Sequence, residues 1–231
     1  MSIGIAGLQK LTLLDFPGRV ACTVFLGGCN LRCPFCHNAS LVLPHGEAPH
    51  MDEESFFDFL RKRQGILDGV CVTGGEPLLY PTVADFLARI RDLGYLVKLD
   101  TNGTLPDRLA PLLAAHSVDY VAMDIKHSLP GYAAAAGVDV DTDKIARSMR
   151  LIKESGIAHE FRTTVVKGIH TEADVVEMAR MVGDSPYFLQ GFIDSGDLID
   201  GEALSAFSKE EMTALCEAAK PFAPLCQLRG V

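Results

Sequence analysis

Short apolar runs alternate with amphipathic segments along most of this sequence, and that alternation is the feature that most restricts the fold. The runs are rich in β-branched residues and too short for helices, which is typical of parallel strands buried on both faces. Strands that alternate with helices predict an α/β fold with a parallel sheet. The predicted strands are Val20–Leu26, Val70–Thr73, Tyr95–Leu99, Val118–Asp124, Glu160–Val166 and Tyr187–Gln190.

Capping and charge signals predict the helices between these strands. The segment Asp52–Arg63 begins with three acidic residues and ends with three basic ones, which complements the helix dipole. Thr171 with Asp174, and Ser208 with Glu211, have the spacing of capping boxes. Other helices are predicted from Pro81, over Pro106–Ala115 and over Thr142–Glu154.

Six strand–helix units are too few for a closed eight-unit barrel, which takes roughly 250 residues. An open doubly wound sheet is also compatible with this pattern. The polar motifs described below fall at or just beyond the C-terminal ends of the predicted strands, and a flat sheet would spread those ends apart. We therefore expect a partial TIM barrel of six β/α units, with the active site at the C-terminal ends of the strands, in one domain over residues 1–231.

The charge and the apolar pattern exclude several classes of protein. The net charge is −9 and no block of five basic residues occurs, so we expect no nucleic-acid partner. No apolar run approaches the roughly 20 residues that span a membrane. Met1–Leu14 contains Lys10 and no long apolar run, so we expect no targeting segment and a cytoplasmic protein.

Three of the seven cysteines crowd into the loop that follows the first predicted strand. Cys29, Cys33 and Cys36 have CxxxCxxC spacing, which lets three thiolates meet at one metal centre. Structural zinc sites and ferredoxin clusters use four protein ligands. A centre with three leaves a coordination position open, which is typical of catalysis. The alternative is a zinc knuckle completed by Cys22 or by His37, although His37 is adjacent to Cys36 and badly placed to share its metal.

The cysteine loop, with Phe35 just before the last cysteine, resembles the signature of the radical S-adenosylmethionine superfamily. The segments Gly7–Lys10, Leu14–Gly18 and Phe25–Cys29 resemble the activating proteins of anaerobic ribonucleotide reductases, and Cys36-His37-Asn38 is similar to pyruvate formate-lyase activating enzymes. The resemblance runs over nearly the whole chain. It implies a 4Fe–4S cluster on the three cysteines, S-adenosylmethionine as cofactor, and Phe35 and His37 among the cofactor-binding residues.

The same resemblance assigns roles to motifs at the ends of the second and fourth predicted strands. Gly74, Gly75 and Glu76 would bind the amino group of S-adenosylmethionine, and the alternative is a plain turn. Asp124 and Lys126 would reach the ribose and the methionine carboxylate, and the alternative is a salt-bridged strand end.

Three further expectations follow from the resemblance. Asp100 and Thr101 match positions that surround a monovalent cation in relatives. Arg162 lies in an otherwise apolar strand and needs a partner there. Its family counterpart helps to hold the substrate carboxylate, and the alternative is an internal ion pair. Gln190 stands where some relatives carry a histidine near the ribose, so this sequence departs from them there.

The resemblance implies that S-adenosylmethionine is cleaved reductively to a 5′-deoxyadenosyl radical. That radical would generate a glycyl radical on anaerobic ribonucleoside-triphosphate reductase, with a flavodoxin or ferredoxin as electron donor. The alternatives are an activator of a pyruvate formate-lyase type enzyme, a small-molecule radical enzyme such as a deazaguanine synthase, and a non-enzymatic electron carrier or zinc scaffold. Cys71 and Cys216 are interpreted as core residues, and Cys226 is left unassigned.

Overall fold

The computed structural model describes residues 3–36, 38–42, 51–194 and 196–231. Eight strands form one sheet in sequence order, with β1 antiparallel to β2 and every later neighbour parallel. The strands are β1 (Ile5–Thr12), β2 (Ala21–Leu26), β3 (Gly69–Gly74), β4 (Leu96–Thr101), β5 (Tyr120–Asp124), β6 (Ala158–Val165), β7 (Tyr187–Gly191) and β8 (Cys226–Arg229). Among the described residues, β1 and β8 are the two unpaired edges.

Helices connect the parallel strands. They are α1 (Ala39–Val42), α2 (Glu53–Arg61), α3 (Val83–Asp92), α4 (Pro106–Ala114), α5 (Tyr132–Ala136), α6 (Thr142–Glu154), α7 (Glu172–Val182) and α8 (Lys209–Ala219). Short 3₁₀ turns cover Pro77–Leu79 and Leu129–Gly131. Both predicted capping boxes are confirmed, at the starts of α7 and α8. In the part of the chain that is described, no helix has the length and apolar character needed to cross a bilayer.

The predicted α/β class and parallel sheet are confirmed, but the sheet has eight strands rather than six. Each of the six predicted strands is present, and buried residues recur along each of them. The two strands missed by sequence reasoning lie at the edges. Ile5–Thr12 is buried only at its two ends, and Cys226–Arg229 has four residues of which only the first is buried. Neither of these edge strands carries the uninterrupted apolar pattern on which the prediction relied.

Because β2 to β7 are parallel, their C-terminal ends lie at one edge of the sheet. The register pairs Leu26 with Gly74, Thr101 with Met123, and Asp124 with Arg162. Polar side chains that are distant in sequence therefore meet at this edge.

Candidate active site

A cavity of about 230 Å³ opens at the C-terminal edge of the sheet. Its walls come from the loop after β2, from the ends of β3 to β7 and from the residues that follow them. The cavity collects most of the site residues predicted from sequence. Those that line it are Cys29, Cys33, Phe35, Cys36, Gly74, Gly75, Asp100, Thr101, Asp124, Lys126, Arg162 and Gln190. His37 lies outside the described residues, and the Glu76 side chain is placed elsewhere, as shown below.

The cysteine loop is fastened to the rest of the protein on several sides. The Gly28 amide donates to the Leu41 carbonyl at 2.8 Å, and the Arg32 amide donates to the Ala136 carbonyl at 2.8 Å. The Pro34 carbonyl accepts from the Asp200 amide at 3.1 Å. These bonds fix the loop backbone on both sides of Cys33, and the thiols of this loop line the cavity.

The three cavity thiols are not grouped as ligands of a single metal ion. The described residues contain no group of three metal-ligating side chains gathered around one ion. A cluster of several iron and sulfur atoms holds its cysteines further apart than a single zinc, whose thiolates lie at about 2.3 Å from the metal. Cys22, the alternative fourth zinc ligand, is fully buried in β2 and does not line the cavity.

Burial controls the protonation of these thiols. It raises the pKa of Cys33 to about 11, although the Lys126 ammonium opposes the rise. Burial also raises the pKa of Cys29. Both thiols are therefore protonated at neutral pH without a metal. A bound metal centre would displace their protons, because thiolate is the form that ligates.

The Gly74-Gly75-Glu76 turn packs directly against the cysteine loop. A Cβ atom at position 75 would overlap the Gly28 carbonyl oxygen, so only glycine fits there. The Glu76 amide donates to that same oxygen at 2.9 Å. Gly74 and Gly75 line the cavity as expected, and their role toward an amino group stays a prediction.

The Glu76 carboxylate is not at the cavity, which differs from the expectation drawn from sequence. It is fully buried and accepts hydrogen bonds from the Leu78 amide at 3.0 Å, the Thr101 hydroxyl at 3.0 Å and the Asn102 amide at 2.7 Å. The carboxylate thus joins the β3 turn to the end of β4. Three hydrogen bonds from the protein itself thus engage this carboxylate.

Glu76 makes the stability of the unloaded protein depend on pH. Burial raises its pKa from 4.5 to about 7, with the three hydrogen bonds opposing. Because the folded pKa lies above the unfolded value, the stabilisation is full below pH 4.5 and is lost as pH rises through 7. The loss amounts to about 3 kcal/mol at 1.36 kcal/mol per pKa unit.

Urea unfolding of wild type and Glu76→Gln tests this assignment. The free energy of unfolding of wild type, measured relative to that of Glu76→Gln, should fall by about 3 kcal/mol from pH 5 to pH 8. A difference that stays constant over this range would contradict the assignment.

A network of buried charges forms the floor of the cavity. Arg162 donates from Nε to Asp124 Oδ1 at 2.9 Å and from Nη1 to Asp100 Oδ2 at 3.2 Å. Lys126 lies 3.3 Å from the other oxygen of Asp124, and Lys98 pairs with Asp100 Oδ1. Although burial alone would raise the pKa of each carboxyl, Arg162 with Lys126 and Lys98 holds both values below their usual range. The internal ion pair considered for Arg162 is therefore present, and the guanidinium also borders the cavity.

The monovalent cation expected at Asp100 and Thr101 stays a prediction. Both oxygens of Asp100 are already engaged, one by Lys98 and one by Arg162. The Thr101 hydroxyl donates to Glu76 and accepts from the Gly103 amide at 3.2 Å. Charge balance at Asp100 is thus supplied by the protein's own cations.

Sequence reasoning missed several residues of the site, and Lys98 and Asn102 are two of them. Lys98 is 1% exposed, and its position inside a buried strand is the signal that could have found it, because a buried charge requires a partner. Asn102 donates from its side chain to Asn30 at 2.9 Å and toward the Cys29 sulfur at 3.8 Å. The sequence feature that could have identified Asn102 is its position just after the end of β4, at the edge of the sheet where the other motifs lie.

A sequence model of the Radical SAM superfamily matches residues 23–182, which include the cysteine loop and most of the charged network. The chain belongs to the Radical SAM superfamily. Membership in this superfamily implies a 4Fe–4S cluster and S-adenosylmethionine as cofactors. The donor set fits, since three thiols border one cavity with cationic and anionic groups beside them.

Three relatives are similar to this Radical SAM chain over half of its length or more. A proposed glycyl-radical enzyme activating enzyme of Methanocaldococcus jannaschii is 30% identical over 94% of this chain and 92% of that protein. A pyruvate formate-lyase-activating enzyme of Clostridium pasteurianum is 33% identical over 53% of this chain and 52% of that protein. A 7-carboxy-7-deazaguanine synthase of Methanopyrus kandleri is 29% identical over 76% of this chain and 74% of that protein.

One solved structure illustrates the shared fold of this Radical SAM protein. The crystal structure of QueE from Escherichia coli has a TM-score of 0.56 and 16% sequence identity. The match covers 100% of this chain and 95% of that chain. At this identity the likeness concerns the fold alone.

Proposed function

We propose that this protein cleaves S-adenosylmethionine reductively and uses the resulting radical to generate a glycyl radical on anaerobic ribonucleoside-triphosphate reductase. The observation that carries the chemistry is one cavity shared by Cys29, Cys33 and Cys36 and a set of buried charges. The relative from Methanocaldococcus jannaschii, which matches nearly end to end, supports the glycyl-radical part. The resemblance of Gly7–Lys10 and Leu14–Gly18 to reductase activators supports the choice of partner.

Cys29, Cys33 and Cys36 would hold the cluster, which would supply one electron for cleavage of the C5′–S bond of S-adenosylmethionine to methionine and a 5′-deoxyadenosyl radical. The protein's own groups bind and orient the substrate. Lys126 and Arg162 offer positive charge for the methionine carboxylate, and Asp124 offers an acceptor for ribose hydroxyls. Gly74 and Gly75 line the cavity, and their backbone would bind the amino group.

The wall of the cavity protects the radical. Leu31, Phe35 and Val42 line it together with the cysteines, and they are buried apolar side chains. An apolar wall excludes water and limits side reactions of a reactive intermediate. A flexible loop of a partner protein that carries a glycine would have to reach into this cavity to meet the radical.

The domain organisation, the cellular location and the electron donor are also inferred. We infer one domain over residues 1–231, because all eight strands belong to one sheet. Seven free cysteines suit a reducing compartment, which supports a cytoplasmic location. The family resemblance of the cysteine loop supports a flavodoxin or ferredoxin as electron donor. A second candidate function is small-molecule radical chemistry of the deazaguanine synthase kind, favoured by the Methanopyrus kandleri relative.

The test begins with anaerobic reconstitution of the cluster, followed by addition of dithionite and S-adenosylmethionine. We expect 5′-deoxyadenosine and methionine in equal amounts. A fully loaded protein that forms neither would overturn the radical chemistry.

The partner is tested separately by electron paramagnetic resonance. The activated protein is mixed with anaerobic ribonucleotide reductase or with a pyruvate formate-lyase type enzyme, and each partner alone serves as control. A glycyl doublet with the reductase is the expected result. A doublet only with the lyase, or product only in a deazaguanine synthase assay, would replace the proposed partner with that alternative.

A further inference from the structure

His170 is a buried histidine whose two ring nitrogens are both bonded to backbone groups. It is 4% exposed and lies in the segment between β6 and α7. Its Nδ1 accepts from the Val166 amide at 3.0 Å, and its Nε2 lies 2.8 Å from the Lys126 carbonyl oxygen. Because Nδ1 acts as an acceptor and a carbonyl cannot donate, Nε2 carries the ring proton and donates it to Lys126. The ring therefore joins the segment after β6 to the segment after β5.

The bond from His170 reaches Lys126 just beyond the end of the sheet. The ladder between β5 and β6 ends with the pair Asp124 and Arg162. The next amide, that of Ile125, still donates to the Arg162 carbonyl at 2.8 Å. One residue further along, it is the His170 side chain that holds the Lys126 backbone to the β6 side of the protein.

The backbone position of Lys126 matters because its side chain borders the cavity. The ammonium lies 3.3 Å from Asp124 Oδ2, and the lysine side chain is 19% exposed. A lysine ammonium sits on a flexible four-carbon stem, so the places it can reach depend on where its backbone is held. The bond to His170 thus limits where this ammonium can lie in the cavity.

The His170 ring is itself held by two aromatic contacts. Its ring centroid lies 6.1 Å from that of Phe35 in an edge-to-face arrangement, and 5.2 Å from that of His127 in a stacked one. Phe35 lines the cavity, whereas His170 is not among the residues that line it. His170 therefore lies behind the cavity wall, between the cysteine loop and the end of β5, with its Nε2 donor fixed in direction.

We propose that His170 is a positioning residue, whose bond to the Lys126 carbonyl holds the Lys126 ammonium where it meets the methionine carboxylate of S-adenosylmethionine. The inference rests on the proposed function, in which Lys126 and Arg162 offer positive charge to that carboxylate. His170 itself would not touch the substrate. Loss of its bond to Lys126 should therefore weaken only the part of binding that depends on the carboxylate.

Two substitutions separate the two hydrogen bonds of His170. Glutamine can place its amide nitrogen near the position of Nε2 and still donate to the Lys126 carbonyl. Asparagine can place its amide oxygen near the position of Nδ1 and still accept from the Val166 amide. Each variant loses the aromatic ring and one hydrogen bond, so His170→Gln is the matched control for His170→Asn.

Equilibrium dialysis of the loaded proteins, compared at equal iron content, measures binding of two ligands. One is S-adenosylmethionine, and the other is its decarboxylated analogue, which lacks the methionine carboxylate. In His170→Asn the affinity for S-adenosylmethionine should fall roughly tenfold, the upper end of what one hydrogen bond contributes, while the affinity for the analogue stays that of wild type. His170→Gln should keep the wild-type ratio of the two affinities.

A purely structural role of His170 would give a different pattern. Equal losses for the two ligands in His170→Asn, an unchanged affinity for both, or a reduced ratio in His170→Gln would each overturn the inference alone. A wild-type protein that loads its cluster but binds no S-adenosylmethionine would instead overturn the proposed function.

Discussion

Replacement of Cys33 by alanine is expected to abolish cluster binding, and with it all formation of 5′-deoxyadenosine. Cys33 is the most buried of the three cavity cysteines and sits between the anchored positions Arg32 and Pro34. Two remaining thiols cannot hold a cluster that leaves one iron free for substrate. Iron and sulfide analysis after anaerobic reconstitution should fall from about four iron atoms per chain to background.

Cys216→Ala is the matched control for this loss. Cys216 is equally buried, but it lies on α8 beside Cys226, with their sulfurs 3.7 Å apart, and it does not line the cavity. We expect this variant to lose some stability through the smaller side chain and to keep its full iron content. Full iron content in Cys33→Ala would show that the ligand set is wrong.

Replacement of Arg162 by methionine is expected to destabilise the unloaded protein by about 3–5 kcal/mol and to abolish binding of S-adenosylmethionine. The substitution keeps much of the side-chain volume but leaves Asp100 and Asp124 without the cation that joins them. Both carboxylates are largely withdrawn from water, with 13% and 30% of their side chains exposed, so water cannot fully replace the guanidinium. Urea unfolding measures the stability loss, and equilibrium dialysis of the loaded variant measures cofactor binding.

The sign of the pH dependence provides a further check on Arg162. In wild type, Asp100 and Asp124 have lowered pKa values, so their stabilisation exists above the unfolded value and is lost as pH falls. The deficit of Arg162→Met should therefore be largest near neutral pH and should shrink in acid. A deficit that grows in acid would contradict this account of the network.

Arg147→Met serves as the control for the Arg162 experiment. Arg147 pairs with Asp107 at 2.7 Å, but the two side chains are 45% and 76% exposed. Exposed pairs of this kind contribute about 0–1 kcal/mol. An equal loss in the two arginine variants would mean that burial of the network does not matter.

The inner strands and their helices could be predicted because each has a local cause. A buried apolar run such as Val70–Thr73 shows its strand directly, and Thr171 with Asp174 marks a helix start without any tertiary contact. The edge strands β1 and β8 could not be predicted in this way. Their stability comes from pairing with a neighbour that is already in place, and their own side chains do not show it.

The candidate site likewise has features that the sequence predicts and features that depend on tertiary contacts. Strand-end motifs placed Asp124 and Lys126 at the right edge, because the direction of parallel strands is a property of the topology. The contacts that each side chain makes could not be predicted from the sequence in the same way. Glu76 was expected at the cavity and instead receives hydrogen bonds from Thr101 and Asn102, which belong to the end of the next strand. The bond between His170 and the Lys126 carbonyl likewise exists only as a consequence of tertiary packing.

The backbone hydrogen bonds of the cysteine loop also affect what happens to the fold when the cluster is oxidised by air. Many small metal-binding domains unfold without their metal, because ligation supplies the free energy that orders them. Here the loop is anchored by backbone bonds at Gly28, Arg32 and Pro34, none of which involves a metal. Oxidative loss of the iron would therefore leave a folded apo protein with an ordered cysteine loop. Repair would then require delivery of iron and sulfide to that protein rather than synthesis of a new one.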